Sequence, residues 1–411
     1  MGIPYVILGG GVAAGYAAQE FVEQGIEPDD LCIVTADERL PYDRPPLSKS
    51  YMAGKKSRED ILINPEKFYA DNGVDVRLKT RIRAVDLGSR RLYDEDGRDI
   101  EFDQLLIATG SSVRTLDVPG GDLTGVHYLR SNADADGIVD DAKNGQRAVV
   151  VGGGYIGMEV AATLTGRGVE VTLVYDGKRL LERLFTPEMS AFFEQYYTER
   201  GVKLIAGQKA KAFEGDERVE RVKLGSGQTL EADFVVVGVG VTPATGLFGG
   251  SELHMQDGGI VVNKYLQTNL PGIYAAGDVA MYYDVLYQKH RRIEHWDNAM
   301  QQGKHAAQIM HGSHGEYMHL PYFFSDIFDL SWEFWGDTDN ADEIVYRGDL
   351  DSGEFSVWWL NGWTIVAAFV MNRPDDERDR AAEWIRMHQR VNPDLLANAD
   401  VSPAKVTQLR V

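Results

Sequence analysis

Cysteine is all but missing from this chain: Cys32 is the only one among 411 residues. One thiol excludes a disulphide within the chain, and with it a redox-active dithiol relay; it also excludes a cysteine-built zinc site. Cys32 itself lies within the apolar stretch 31–34, where a buried, inert thiol is expected. Long apolar runs are missing as well. The longest, residues 234–241 and 363–371, fall short of the roughly 20 residues that a membrane-spanning helix needs. Positive charge is in deficit, with 42 Lys and Arg against 63 Asp and Glu and a net charge of -21. That balance disfavours nucleic acid or an anionic membrane as the main partner, although a local basic patch can still steer an anion. The chain enters an apolar strand almost at its start, so neither a signal nor a transit peptide is expected, and Met1-Gly2 lacks the Ser or Thr of a myristoylation motif. A cytoplasmic location is the expectation, and the length predicts two or three domains.

Glycine, by contrast, is plentiful, and two clusters of it organise the chain. Residues 5–15 read YVILGGGVAAG: an apolar run fit for a buried parallel strand, then Gly9, Gly11 and Ala14 at the positions of G-x-G-x-x-G/A. The first glycine permits the tight turn, the second lets the backbone approach a pyrophosphate, and the third position must be small for helix-strand packing. The helix that follows points free N–H groups and its positive dipole end at the phosphates. It runs to about Gln24 with Gly25 as a stop, a second strand covers 31–34, and Asp37 then stands where an acid can hold a ribose. The device recurs at residues 148–159, AVVVGGGYIGME, with Gly152, Gly154 and Gly157 after a Val-rich strand. Two dinucleotide sites imply two dinucleotides. Asp176, 19 residues past Gly157, suits a ribose 2'-hydroxyl and repels a 2'-phosphate, which favours NADH; Lys178 and Arg179 pull the other way.

Between and beyond these units the chain reads as connections and a third segment. Residues 40–49, LPYDRPPLSK, hold Arg44 and Lys49 on a stiff loop, which serves either as a Pro-rich surface turn or as a pair of fixed cations beside a dinucleotide. Residues 110–119 make a crossing out of the first domain, and Thr242-Pro243 a crossing back. A strand over 273–276 ends at Gly277-Asp278, where the aspartate is either a ligand or a helix cap. Six of the seven tryptophans, Trp332, Trp335, Trp358, Trp359, Trp363 and Trp384, fall after residue 320, and most are expected in a core. Residues 354–370 read as two strands about the Asn361-Gly362 turn, and residues from 392 on as a packed or frayed tail.

Taken together, YVILGGGVAAGYAA, LPYDRPPLSK, LLIATGS, GVHYLR, VVVGGGYIGMEVA and GIYAAGDVA stand in the order and spacing of the ferredoxin reductase-like flavoproteins. The resemblance covers about residues 3–385. Within that group VTLVY, RLFTPEM, ADFVVVGVG, RRIEH and LPYFFSDIFDLSWEFWGD are most similar to monodehydroascorbate reductase of the plant type. The resemblance implies an α/β fold with two Rossmann-like dinucleotide-binding domains in a glutathione reductase-like architecture and a small α+β C-terminal domain. It places an FAD-binding domain at 1–114 and 245–319, an NAD(P)H-binding domain at 115–244 and the C-terminal domain at 320–411.

It also implies a site. Lys49 and Glu159, whose family counterparts pair near the flavin, together with His295 and Arg292, are the candidate catalytic residues. The candidate cofactor-binding residues are Gly9, Gly11, Val12, Ala13, Ala14, Asp37, Arg44, Lys49, Ile82, Ala108, Thr109, Gly110, Arg130, Gly277, Asp278, Trp296, Phe324, Gly152, Gly154, Tyr155, Ile156, Gly157, Glu159, Tyr175, Asp176, Arg183, Gly240, Glu294 and His295. FAD and NAD(P)H, with NADH favoured, are the implied cofactors, and no metal is expected. A buried lysine keeps its charge only with a partner, so a Lys49–Glu159 pair balances charge beside a flavin that becomes anionic on reduction. His295, with Arg291 and Arg292, reads as an island of positive charge suited to positioning rather than proton transfer. One departure stands out. Where the plant enzymes use two arginines for the anionic ascorbyl radical, this chain has Met300 and Asp326.

Three functions follow. The first is an FAD-dependent NAD(P)H oxidoreductase that passes electrons singly to a small radical or quinone-like acceptor. The second is a reductase for a ferredoxin or rubredoxin serving an oxygenase, which a net charge of -21 disfavours because such carriers are usually acidic. The third is a redox-gated binding protein resembling apoptosis-inducing factor.

Overall fold

The structure is a computed structural model and describes residues 2–407. The chain forms two compact units: Met1–Pro46 with Lys56–Ser112 and Val241–His319, and Leu47–Lys55 with Val113–Gly240 and Leu320–Val411.

The first unit is built on a parallel sheet whose strands Asp75–Arg77, Leu31–Val34, Ile3–Leu8 and Asp99–Ile107 lie side by side, with Ile273–Ala275 pairing in parallel with Asp99–Ile107. A hairpin, Ile82–Asp86 and Arg91–Asp94, extends it through the N-terminal half of Asp99–Ile107. Val6, Ile7, Cys32, Ile33, Leu105 and Leu106 have no exposed surface, as strands covered on both faces require. The helix Val12–Glu23 follows the first strand, and the helix Trp296–Met310 packs on it. Gly303 makes that contact possible: a Cβ there would lie 2.3 Å from the carbonyl oxygen of Ala13.

Among its described residues the second unit holds, beside a three-stranded antiparallel sheet of Ala210–Glu214, Arg221–Leu224 and Thr229–Glu231, two five-stranded sheets. One is fully parallel, in the order Lys203–Ile205, Glu170–Val174, Arg147–Val151, Phe234–Val237, Val126–Tyr128. The other is fully antiparallel, in the order Tyr322–Ile327, Leu330–Gly336, Thr364–Met371, Glu354–Asn361, Glu343–Asp349. Five of the six late tryptophans are buried as expected, and Trp363 is the exception at 44 % exposed, because it sits in the turn just past Gly362. The tail is packed as far as it is described. Buried Arg347 pairs with Glu377 at 2.9 Å and donates to the carbonyls of Leu396, Asn398, Ala399 and Val401. Among the described residues no helix is long and apolar enough to cross a membrane.

Candidate functional site

In the first unit the turn after Ile3–Leu8 is shaped by its backbone. Gly9 has φ +130, and a Cβ there would lie 2.1 Å from the carbonyl oxygen of Ala108, so only glycine lets the two strand ends approach. Gly11 is the N-cap of the helix Val12–Glu23 and supplies no side-chain cap, so the amides of Val12, Ala13 and Ala14 keep their capacity for an anion. Arg44 closes the same turn, with Nη2 3.7 Å from where a Cβ on Gly11 would sit. Asp37, beyond the second strand, accepts the Tyr42 hydroxyl at 3.1 Å and the Arg39 amide at 3.1 Å.

Behind that turn lie Thr109, whose hydroxyl donates to the Ala244 carbonyl at 2.9 Å, and Gly110, whose carbonyl accepts the Ala244 amide. Asp278 accepts the Ser111 hydroxyl at 2.6 Å from a short 3-10 turn, Gly277–Val279, so it caps no α-helix. Gln302 is fully buried; its Oε1 accepts the Gly277 amide at 2.8 Å, while its Nε2 is buried without a hydrogen-bond partner in the protein. Ile82 is buried at the start of its hairpin strand, opposite Asp94.

Trp296 opens the helix Trp296–Met310 and donates its indole N–H to Asp43 at 2.6 Å. Burial pushes the Asp43 carboxyl up from its ordinary value against that hydrogen bond, and burial with the nearby Asp43 charge pushes the Tyr16 hydroxyl up to about 12. His295 caps the helix, its Nδ1 accepting the Asp297 amide at 3.3 Å, which leaves the proton of a neutral ring on Nε2. The expected island of positive charge is not found here. Arg291 is paired with buried Asp284 at 3.3 Å, and Arg292 with Glu294. Asp284 comes from the neighbouring antiparallel strand, so a scan along the chain does not see that it neutralises Arg291.

In the second unit the turn after Arg147–Val151 repeats the geometry of the first. Gly152 has φ +125, with a virtual Cβ 2.2 Å from the Gly238 carbonyl oxygen, and Gly157 approaches so closely that a Cβ would lie 1.8 Å from the Gly152 oxygen. Gly154, the N-cap of the helix Tyr155–Gly166, has no side-chain cap and nothing within 4 Å of its virtual Cβ. By contrast the helices Asn132–Asp141 and Pro187–Glu199 are capped by Ser131 and Thr186. Ile156 is exposed at the mouth of the turn, and Tyr155 packs against Trp332 with ring centroids 5.7 Å apart. Burial drives the Tyr155 hydroxyl upward, with the Glu159 charge adding to it. Tyr175 is buried and donates to Glu194 at 3.0 Å, and burial raises its hydroxyl as well. Asp176 is exposed and paired with Lys209 at 3.6 Å. Arg179 is paired with Glu182 at 3.4 Å, whereas Lys178 and Arg183 are exposed. The amide of Arg130 donates to Asp134 at 3.0 Å, and the Gly240 carbonyl accepts the Arg114 amide at 3.0 Å.

The segment Leu47–Lys55 belongs to this second unit and carries Lys49 to Glu159, Nζ to Oε1 at 3.4 Å. Glu159 is buried and triply held, since Ser48 donates to Oε2 at 2.5 Å and Ser325 to Oε1 at 2.6 Å. Lys49 also reaches Asp326 at 3.5 Å and lies 4.8 Å from the centre of the Phe324 ring. Met300 is half-buried in the helix Trp296–Met310 of the other unit, so the two positions of the arginine departure lie in different units.

Sequence reasoning missed Asp43, Ser48, Ser111, Gln302 and Ser325. Asp43 and Ser48 sit inside the LPYDRPPLSK motif, and Ser325 in YFFSD, so proximity to a motif was the only signal available. Gln302 left none. The residues fit two dinucleotides: two uncapped helix N-termini behind glycine turns suit two pyrophosphates, and the buried Nε2 of Gln302 is a donor whose acceptor must come from outside the protein. Among the described residues no cluster of His, Cys, Asp and Glu is arranged for a metal ion.

Residues 3–303 match the family model "Pyridine nucleotide-disulphide oxidoreductase", and residues 322–406 match "Reductase C-terminal". Monodehydroascorbate reductase of Solanum lycopersicum is 39 % identical over 425 residues, covering 97 % of each chain. Among solved structures, one from the covalent putidaredoxin reductase–putidaredoxin complex is 33 % identical with a TM-score of 0.93, covering 98 % of this chain and 97 % of that one. A ferredoxin reductase from Rhodopseudomonas palustris is 30 % identical with a TM-score of 0.93, covering 99 % of this chain and 100 % of that one. The chain therefore belongs to the pyridine nucleotide-disulphide oxidoreductase family and is an FAD-dependent NAD(P)H oxidoreductase, although its single cysteine gives it no disulphide of its own.

Proposed function

We propose that this oxidoreductase takes its electrons from NADH and releases them singly to a small acceptor outside the chain. The observation that carries this reading is Cys32, the only cysteine, whose thiol is buried in a strand and pushed up to about 12 by burial, with Asp75 adding to it. It has no partner thiol in the chain, so no dithiol relay stands between the cofactor and the acceptor.

FAD, when bound, supplies hydride acceptance and one-electron donation, the two capacities that a change from a two-electron donor to one-electron acceptors requires. In this proposal Gly9, Gly11, Val12, Ala13, Ala14 and Arg44 hold its pyrophosphate, Asp37 a ribose hydroxyl, Asp278 with Ser111 the ribityl chain, and Gln302 donates its Nε2–H to the same group. Ile82, Ala108, Thr109, Gly110, Arg130 and Gly277 complete the cradle, and Trp296 and Phe324 offer aromatic faces to it. Gly152, Gly154, Tyr155, Ile156, Gly157, Tyr175, Arg183 and Gly240 receive NADH, with Asp176 on its ribose. Glu294, His295 and Arg292 position the nicotinamide, and Lys49 paired with Glu159 offsets negative charge that develops on reduction. The proposed division of labour is an FAD domain at 1–114 and 245–319, a nicotinamide domain at 115–244 and a C-terminal domain at 320–411.

A second reading, reduction of a ferredoxin-type protein, is favoured by the likeness to the putidaredoxin reductase–putidaredoxin complex. Steady-state NADH oxidation against monodehydroascorbate, ferricyanide, quinones and purified ferredoxins separates the two. Turnover with small acceptors is expected; turnover confined to a ferredoxin would overturn the first reading, and a colourless protein that takes up no FAD would overturn both.

A further inference from the structure

The loop between the strand Glu170–Val174 and the helix Pro187–Glu199 doubles back on itself. Leu181 stands at φ +47, a left-handed conformation that a residue with a Cβ rarely adopts, and its amide donates to the Gly153 carbonyl at 3.0 Å. Gly153 lies between Gly152 and Gly154 in the second glycine turn, so the strained residue ties the loop to that turn. Strain of this kind persists only where surrounding contacts impose it, and it gathers at ligand sites. The residue that follows is Glu182.

Glu182 is turned back over the start of the loop. Its Oε2 accepts the Lys178 amide at 3.0 Å and lies 3.0 Å from where a Cβ on Gly177 would sit, so the carboxylate fills the space that a side chain at 177 would take. Its Oε1 accepts Nη1 of Arg179 at 3.4 Å. Nη2 of Arg179 donates to the carbonyls of Glu182 and Phe185 at 3.2 and 3.4 Å, so the guanidinium is oriented by backbone as well as by the carboxylate. A guanidinium suits a phosphate because it can donate two parallel hydrogen bonds. On this loop its charge is already matched by Glu182. Asp176, on the other side of Gly177, is paired with Lys209 at 3.6 Å.

We propose that Glu182 is a specificity-determining residue for the nicotinamide dinucleotide. It neutralises Arg179 and sets a second carboxylate beside Asp176, so that a ribose 2'-hydroxyl is accepted and a 2'-phosphate is refused. In the sequence Arg179 counts as a cation that favours NADPH; Glu182 removes it from that balance. The inference rests on the reading that the second glycine turn receives the dinucleotide with Asp176 on its ribose.

The test is equilibrium binding of NAD+ and NADP+ to the FAD-loaded protein by calorimetry, with kcat/KM for NADH and NADPH alongside. Wild type is expected to bind NAD+ the more tightly. Glu182→Gln keeps a carbonyl acceptor for the Lys178 amide and loses the charge. It should tighten NADP+ by about tenfold at low ionic strength and leave NAD+ within about twofold, and the gain should shrink towards about 1 M salt. Adding Arg179→Ala to Glu182→Gln should erase the gain, because the released cation is what takes the phosphate. Arg179→Ala alone leaves the Glu182 charge unmatched and should loosen NADP+ instead, which keeps the inference open to refutation even if Glu182→Gln does not fold. Glu199→Gln, an exposed carboxylate at the other end of the helix Pro187–Glu199, controls for bulk charge and should move neither affinity. A ratio unmoved by Glu182→Gln and Arg179→Ala, a gain that survives the loss of Arg179, an equal shift in Glu199→Gln, or a wild type that prefers NADP+ overturns the inference. If the wild type binds neither dinucleotide, the reading on which it rests fails instead.

Discussion

Trp296 and Asp43, 253 residues apart in sequence, are joined by a hydrogen bond from indole N–H to carboxylate at 2.6 Å. The bond fixes the first residue of the helix Trp296–Met310 against the Pro-rich loop that also carries Arg44. Its donor and acceptor come from two different motifs of the chain. One face of the candidate site is thus held by a contact that no local pattern encodes.

Burial holds the Asp43 carboxyl above its ordinary value, with the bonds from Trp296 and Tyr16 opposing that shift. A folded-state value above the unfolded one means that the protonated form favours the fold. The contribution is whole below the unfolded value of 3.8 and is lost as pH rises through the folded value. Asp43→Asn keeps an acceptor for the indole and cannot ionise. Relative to wild type it should gain thermal stability as pH is raised from about 4 to about 7. Melting curves across that range check it, and parallel curves for the two proteins would count against the assignment.

Glu159 accepts from Ser48, Ser325 and Lys49 in a buried setting. Glu159→Leu removes this acceptor from all three, with Lys49 keeping only Asp326 at 3.5 Å, and breaking a buried pair from one side costs about 3–5 kcal/mol. Glu159→Gln keeps a carbonyl acceptor and should cost about 1–2 kcal/mol. Urea unfolding midpoints read both. Near-equal midpoints for wild type and Glu159→Leu would mean that water already satisfies these groups.

What was legible in the sequence were features of short range. The Gly9 and Gly152 turns, the helix ending before Gly25 and the hairpin about Asn361-Gly362 are each written in a handful of consecutive residues, because backbone conformation and side-chain alternation are local properties. The likeness of motifs then supplied the Lys49–Glu159 pairing, which the geometry brings to 3.4 Å. Illegible were the contacts made across strands and helices: Asp284 under Arg291, Ser325 on Glu159, Ser111 on Asp278. Asp326 shows the cost most clearly. Its type suggested only the loss of a cation, whereas its place 3.5 Å from Lys49 makes it the second carboxylate, after Glu159, on that lysine.

Asp176 stands exposed beyond the strand Glu170–Val174, paired with Lys209 at 3.6 Å. An exposed pair of this kind is weak, so the carboxylate is available to a ribose at little cost. Asp176→Ala should narrow the NADH-to-NADPH ratio of kcat/KM by roughly tenfold, the scale of one charge-assisted hydrogen bond. Lys209→Ala should widen it, since the carboxylate loses its competing cation. A wild type that prefers NADPH would instead assign the choice to Lys178.

Gly154 and Gly157 separate what the fold needs from what the cofactor needs. A methyl group at Gly157 would lie 1.8 Å from the Gly152 carbonyl oxygen, a backbone clash that no rotamer relieves, so Gly157→Ala should lower the melting temperature of the protein with or without NADH. A methyl group at Gly154 meets nothing within 4 Å. Gly154→Ala should therefore fold and melt like wild type in the absence of nicotinamide. It places a carbon where the uncapped helix N-terminus offers its amides, and so should raise the KM for NADH by about tenfold or more while leaving the FAD content untouched. Titration of each variant with NAD+ alongside its melting curve distinguishes the cases. If Gly154→Ala binds NAD+ as wild type does, the dinucleotide does not lie on this helix end, and the second glycine cluster serves packing alone.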